Sequence, residues 1–575
     1  MRGDRLKYIL FCIISHVAVY HHNLVSVTAF SNTNHNIQKA CTSRQKQQQL
    51  LRRTIILHES KPSSESTASR DPIGNVALLL PSGDYNAANT TSLFGRKSPV
   101  EPPSILTAAQ QLVNKIQWFS DDTIQAKIFT ADDDVISDEI KTYDAVIALH
   151  LTSEQDVHFA SKLFASRLTD KTHDDKCQFA LQCAADDTGL LDHTLVGPYD
   201  SSKPSLSSRI LPWSPSASGK RMRTQMQQLF DRWTSDDFVL ALLLFFNQFS
   251  GSKVPWVEHS IDATWEKGLI RNTKEFYGMV TNCGGCVSKC LADENCKQCI
   301  DALNAVDTRD QVASYRTVVS FESELLRDFS YCILQKNNVF GCNASIPTLP
   351  YVPPMKTWRG HEITAEDARQ LLIGHLDDPA GMSGSLKLNT SWKVACGANV
   401  AYDQFPSQNQ IFYENSAGRD MWYDPIFRVE TIDGRTVWAK RHYKVKQQTR
   451  IHPATFRFSV LDNGVTSNEY WTIAGAADDL SWIVFHYAGA ASAVGQRYIG
   501  GLLCTADGSV PSDAGVLEDI WCTLRGAGIE PWELFVVNND EGDASVAGPA
   551  PLDYFRKDVL RAKEERRAGA AEVVG

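Results

Sequence analysis

Between Trp392 and Thr505 the chain repeats one pattern: short runs that alternate apolar and polar residues, spaced at regular intervals. Eight such runs stand out, at 392–397, 408–414, 425–432, 436–445, 454–461, 467–475, 482–489 and 497–505. Asp433-Gly434 and Asn463-Gly464 between them are hairpin signals. Eight antiparallel strands in succession predict an up-and-down β-barrel, which removes sheet edges and leaves room for one small apolar ligand.

Within that pattern, 466–489 carries an unusual residue. Strand residues alternate faces, so Glu469, Trp471 and Ile473 share one face, and Ile483, Phe485 and Tyr487 share a face of the next strand. If both faces point inward, a carboxyl, an indole and a phenol line an apolar interior. Phe456 and Phe458 are also expected to point inward. His486, on the opposite face from Tyr487, is expected to be exposed, and Cys504 to be a small buried filler.

The rest of the chain divides by composition. With 575 residues there is material for several domains. The net charge of -10 argues against a nucleic-acid partner, because phosphate contacts need a basic face. Residues 71–250 alternate strand-like runs (75–80, 125–130, 143–150) with helical ones (105–118, 154–168), which predicts an α/β domain with a small parallel sheet. The turn Pro81-Ser82-Gly83-Asp84 lacks a nucleotide fingerprint, so the role of this domain stays open. The apolar run 238–246 is too short to cross a bilayer and predicts a core helix, or an interfacial segment touching lipid. A Pro/Ser-rich linker (197–220) and a charged helix (221–233) complete this part.

Residues 251–355 form a helical, cysteine-rich module with Cys283, Cys286, Cys290, Cys296, Cys299, Cys332 and Cys342. The two CxxC pairs fit a zinc site. The extra Cys290, the downstream pair and a secretory leader favour disulfides, with no metal. An odd count means that at least one cysteine reaches outside, Cys396 being the nearest candidate, or stays reduced. The barrel domain is expected at 356–545, with a helix at 513–525, and a charged C-terminal helix within 546–575.

The first residues read as an address. Arg2, Arg5 and Lys7 precede an apolar stretch, and Val27-Thr28-Ala29 makes a small-residue cleavage site, so 1–29 reads as a signal peptide. Residues 30–70 are basic and rich in Ser, Thr, Asn and Gln, as transit regions are. This leader resembles the two-part leaders of algae with complex plastids. It predicts delivery to the plastid (chloroplast), in the thylakoid lumen or at its membrane, with plain secretion as the alternative.

The module and barrel together resemble the violaxanthin de-epoxidase family, and most closely its de-epoxidase-related branch. The residues that carry the resemblance are 329–342 (FSYCILQKNNVFGC), Ser391-Trp392-Lys393-Val394, Tyr402-Asp403-Gln404-Phe405 with Gln408, Trp471-Thr472-Ile473, 484–489 and Gly500-Gly501. The resemblance implies a lipocalin-like barrel that binds a xanthophyll epoxide (violaxanthin or diadinoxanthin type), with ascorbate as reductant. It also implies catalytic roles for Glu469 as general acid and for Asp403 and Tyr487, and a substrate-binding role for Trp471, Phe485, Gln408 and Phe458. Epoxide opening needs a proton on the ring oxygen, and a desolvated carboxyl stays protonated and able to donate it. The chain departs from the family's pattern in several places. Glu469 replaces an aspartate, Cys504 replaces the second pocket tyrosine, and Gln410 and Tyr413 replace two strand histidines. Pro406 and Ser407 likewise stand where the family has Asp and Cys. Loss of the histidines predicts weak acid-triggered switching. The alternative is a lipocalin-like protein that binds a carotenoid or another apolar ligand without converting it; a third reading makes the barrel a relic and the α/β region a docking module.

Overall fold

The computed structural model describes residues 74–82, 98–120, 122–131, 136–169, 177–181, 268–303, 311–376, 390–403, 405–414 and 421–540, together with Asp236, Val239, Leu242 and Leu243. The leader, the 197–220 linker, the 221–233 helix and the C-terminal helix lie outside the described residues. Of the 238–246 run, Val239, Leu242 and Leu243 are helical and buried. No described helix is long and apolar enough to cross a membrane.

The first unit is a parallel sheet in the order β2-β1-β3-β4, built from β1 (Gly74–Leu80), β2 (Ile124–Thr130), β3 (Ala145–Leu149) and β4 (Cys177–Leu181). Helix α1 (Ile105–Phe119) is started by the Ser104 hydroxyl accepting from Thr107 N–H. Its Ile105, Ala108, Leu112 and Ile116 recur at helical spacing and pack on one face of the sheet, against Leu78, Leu80 and Ile147. Helix α3 (Glu154–Thr169) covers the other face through Val157, Ala160 and Phe164, and the short α2 (Ile136–Lys141) lies beside it.

A helical module follows: α4 (Gly268–Ala292), α5 (Glu294–Leu303), α6 (Gln311–Ser320), α7 (Glu324–Ser330) and a π-helical turn at Tyr331–Lys336. Disulfides Cys283–Cys332 and Cys290–Cys296 staple it. The first ties α4 to the π-turn and the second ties α4 to α5. At least one of the seven was expected to reach outside or stay reduced; here Cys286, Cys299 and Cys342 are thiols, as is Cys396, the candidate outside partner. Burial pushes the Cys299 thiol up to about 12.

The small hairpin β5 (Thr357–Trp358)/β6 (His361–Glu362) and α8 (Ala365–Ile373), opened by a Thr364/Asp367 capping box, lead into the large sheet. Its strands are β7 (Trp392–Gly397), β8 (Asn409–Gln410), β9 (Phe412–Glu414), β10 (Met421–Tyr423), β11 (Ile426–Glu430), β12 (Thr436–Lys440), β13 (Tyr443–Gln447), β14 (Thr455–Asp462), β15 (Val465–Ala476), β16 (Trp482–Ala491) and β17 (Gln496–Thr505). After α9 (Ala514–Gly526), β18 (Phe535–Val536) adds to β7. The sheet is antiparallel, in the order β12-β11-β8-β7-β17-β16-β15-β14-β13-β10-β9. Only Ile411 separates β8 from β9, so the chain links the last strand of the order back into its middle. The result is a curled antiparallel sheet around one apolar interior. Asn463 and Gly464 both take positive φ (46° and 86°), the geometry an Asn-Gly hairpin turn favours.

The interior is covered at both ends of β15. Near Ile473, Trp358, Leu371 and Leu372 close it, with Trp392 donating to the Leu371 carbonyl at 2.9 Å. Near the 465 end, Val312 of α6 packs into the same core, and the Tyr315 ring packs at a tilt against Tyr402, 4.6 Å between centroids. Arg441 fixes this cover: it pairs with Asp462 (2.8 Å) and with Glu322 between α6 and α7.

His486 corrects the sequence expectation. It points outward from β16, as alternation requires, yet only 1% of it is exposed. Tyr351 stacks on it at 6.0 Å, and Ala488 and Ile499 on the same wall join the α1 core. The α/β unit covers this wall. At the contact, Lys115 of α1 is buried between Asp236 and Glu533, 2.5 Å from each.

Candidate active site inside the curled sheet

Alternation brings Trp471, Ile473, Ile483, Phe485, Tyr487, Phe456 and Phe458 into the interior as expected, despite a register shift between Ile473 and Gly475. Trp471 lies parallel to Phe458 at 4.6 Å and stacks on Tyr487 at 5.3 Å. Phe485 lies 5.6 Å from Trp471. These rings pack against one another into an aromatic cluster within the interior.

Two carboxyl groups interrupt this apolar lining. Glu469 is 6% exposed. Its Oε2 accepts from Trp471 Nε1 at 2.5 Å, and its Oε1 faces the hydroxyls of Tyr498 at 2.9 Å and Tyr443 at 3.3 Å. Burial pushes its carboxyl above the ordinary value, against the lowering effect of these three donors. That balance suits an acid that must stay protonated and yet give up its proton.

Asp403 lies after β7 and is also buried. Its Oδ1 accepts from the Tyr487 hydroxyl at 2.7 Å and its Oδ2 from Asn399 N–H at 2.7 Å. Desolvation pushes this carboxyl up to about 7, with Tyr487 and Asn399 pulling the other way and the Glu469 charge adding a little. The bond to Asn399 makes Asp403 a turn-former as well as the partner of Tyr487.

Gln408 does not join the aromatic surface. Its Nε2 donates to the Asp403 carbonyl oxygen, and its own carbonyl accepts from Val394 N–H at 3.1 Å. It therefore supports the loop that carries Asp403. Gln410 is interior and takes a hydrogen bond from Tyr423, whereas Tyr413 faces outward toward Asp424. Cys504 is buried in the interior core, and burial holds its thiol well above the ordinary value.

Sequence reasoning missed two residues that meet Glu469: Tyr443 and Tyr498. Tyr498 shares a face with Gly500, Leu502 and Cys504 on β17, so strand alternation alone would have found it. Tyr443 was hidden because the strand breaks at Arg441-His442 between β12 and β13, which resets the phase. Among the described residues, no group of three or more His, Cys, Asp or Glu is placed to hold a metal ion.

A curled antiparallel sheet around an apolar interior, with helices and disulfide-bonded cysteines beside it, defines a lipocalin-like domain. Residues 275–539 match the family model described as the VDE lipocalin domain. The matched segment is a little under half of the chain, and it supports a relation to the violaxanthin de-epoxidase family. No curated protein matches the chain. Among solved structures, one titled "Apocrustacyanin C1 crystals grown in space and earth using vapour diffusion geometry" is similar at 11% identity. The match covers 28% of this chain and 79% of that one, with a TM-score of 0.21, a likeness too slight to bear on the site.

Proposed function

We propose that the curled sheet acts as a closed lipocalin barrel that binds a xanthophyll epoxide, and that the protein reduces the epoxide with ascorbate. Glu469 donates the proton to the ring oxygen, and Asp403 with Tyr487 shapes the opposite side of the pocket. The observation that carries this reading is a buried, raised carboxyl set among aromatic rings in a domain of the de-epoxidase family. An acid so placed matches what epoxide opening requires. The two-part leader supports a plastid location, in the thylakoid lumen or at its lipid surface, where such pigments reside.

A second reading, ligand binding without conversion, draws support from Cys504. At that position the interior has a thiol held protonated by burial in place of a phenol.

The test is direct. The full-length oxidised protein is incubated with violaxanthin or diadinoxanthin plus ascorbate, and the pigments are followed from about pH 5 to about pH 7.5. Conversion that Glu469→Gln abolishes supports the enzyme. Tight pigment binding with no conversion anywhere in that range sinks it in favour of the binding reading.

A further inference from the structure

Glu469, Gly489 and Tyr498 stand in one row across three strands: Glu469 of β15 pairs with Gly489 of β16, and Gly489 pairs with Tyr498 of β17. Backbones two strands apart are separated by roughly 9.5 Å. A side chain on the middle strand would normally stand between the outer two. Here it cannot: a Cβ at position 489 would fall 2.1 Å from Cε2 and 2.2 Å from Cζ of Tyr498. The phenol ring lies over the bare backbone of Gly489, and its hydroxyl reaches Glu469 Oε1 at 2.9 Å.

The next row repeats the device in the other direction. Tyr487 of β16 pairs with Gly500 of β17, where a Cβ would fall 2.2 Å from the Tyr487 hydroxyl oxygen, and that hydroxyl goes to Asp403. Glycine inside a strand is destabilising relative to alanine. Two of them, each under a tyrosine that ends on a buried carboxyl, point to a common purpose.

Donor chemistry says what Tyr498 does there. An indole N–H can only donate. Trp471 therefore makes Oε2 the accepting oxygen, and a proton carried by Glu469 belongs on Oε1. Of the two hydroxyls facing Oε1, that of Tyr498 is the nearer. A phenol can accept this proton's hydrogen bond when the acid is neutral and donate to the oxygen when it is ionised.

We propose that Tyr498 is the positioning residue for the Glu469 carboxyl, and that the missing side chain at Gly489 is what admits it. Its meaning for proton donation rests on the reading of Glu469 as the acid; the contact itself does not.

The test titrates Glu469 in the full-length protein by infrared spectroscopy, its carboxyl band assigned by its loss in Glu469→Gln. Tyr498→Phe keeps the ring and removes the hydroxyl. Gly489→Ala keeps the hydroxyl and displaces the ring. Each variant should move the Glu469 midpoint upward, because a donor to the carboxylate is lost, and the double variant should move it no further than either. An unmoved midpoint in Tyr498→Phe overturns the positioning role; an unmoved midpoint in Gly489→Ala alone overturns the role of the glycine. If Gly489→Ala fails to fold, adding Tyr498→Leu removes the clash and should restore folding, and failure of the pair to fold also overturns the glycine's role. None of these readouts uses turnover. A wild-type protein that converts no epoxide would therefore refute the proposed function and leave the pairing to be judged by its titration.

Discussion

Tyr487 donates a 2.7 Å hydrogen bond to Asp403, joining the middle of β16 to the loop that follows β7. The bond crosses the interior beside Trp471, whose ring stacks on Tyr487. One phenol is thus held by an aromatic face and a carboxyl together, and it fixes the distance between the sheet and the Asp403 loop.

That carboxyl makes stability depend on pH. Asp403 titrates at about 7 in the folded protein against an ordinary 3.8, because it is desolvated. Between those values the folded state binds more protons than the unfolded one, so stability falls as pH rises. The penalty is absent below the lower value and complete above the upper one, with a slope of at most ~1.4 kcal/mol per pH unit. Glu533, also pushed up to about 7 by burial, adds a change of the same sign. Thermal melting should occur at a lower temperature at about pH 8 than at about pH 5, and Asp403→Asn should flatten part of the slope. An unchanged slope in that variant would show that Asp403 is not the group responsible.

Glu469→Asp withdraws the carboxyl by about 1.5 Å. The reach to Tyr443, already the longest of the three contacts at 3.3 Å, should be lost first. Misplacing a catalytic acid by about an ångström can cost ~10²-fold in rate. Under the proposed function, epoxide turnover by this variant should fall by about that factor, measured as kcat with pigment binding unchanged. Turnover equal to or faster than the wild type would mean that the glutamate's reach is unimportant.

The two disulfides should differ in weight. Cys283–Cys332 spans 49 positions and Cys290–Cys296 spans 6. Loop-closure entropy assigns about 4 kcal/mol to the first and about 2 kcal/mol to the second. Denaturant melts followed by near-ultraviolet dichroism should show Cys332→Ser losing about twice as much stability as Cys296→Ser. Equal losses would count against the entropic account.

Lys115→Met should loosen the α/β unit from the wall of the curled sheet. The substitution leaves Asp236 and Glu533 without the cation buried between them. Removing one partner of a buried ion pair costs ~3–5 kcal/mol. Acid should soften the loss by protonating Glu533, so denaturation at about pH 8 should reveal a larger deficit than at about pH 5.5. The same deficit at both would argue against the ion triad.

Much of the interior was legible because strand alternation is a strict rule. Glu469, Trp471, Phe485 and Tyr487 follow it, and β15 and β16 are long strands of 12 and 10 residues. His486 shows its limit: alternation tells which face a residue takes, but whether that face meets water depends on a different part of the chain, here Tyr351 and the unit around α1. Tyr498 was legible in principle, because it shares a face of β17 with Gly500, Leu502 and Cys504. Cysteine spacing could not say which thiols pair, since α4 and α5 must first fold against each other and against the π-turn. The α/β unit was readable as a parallel sheet from its apolar runs, yet nothing in them announces that Lys115 meets Glu533, more than four hundred positions away.

Val312 and Tyr315 of α6 cover one end of the interior, and α8 covers the other. A guest molecule that enters past either cover waits on one of these helices stepping aside. In a stopped-flow mixing experiment the capture rate should climb with pigment concentration and then level off, the plateau reporting how often the helix swings away. Because α6 is held by Arg441 through Glu322, Glu322→Gln should raise that plateau while leaving the aromatic bed itself untouched.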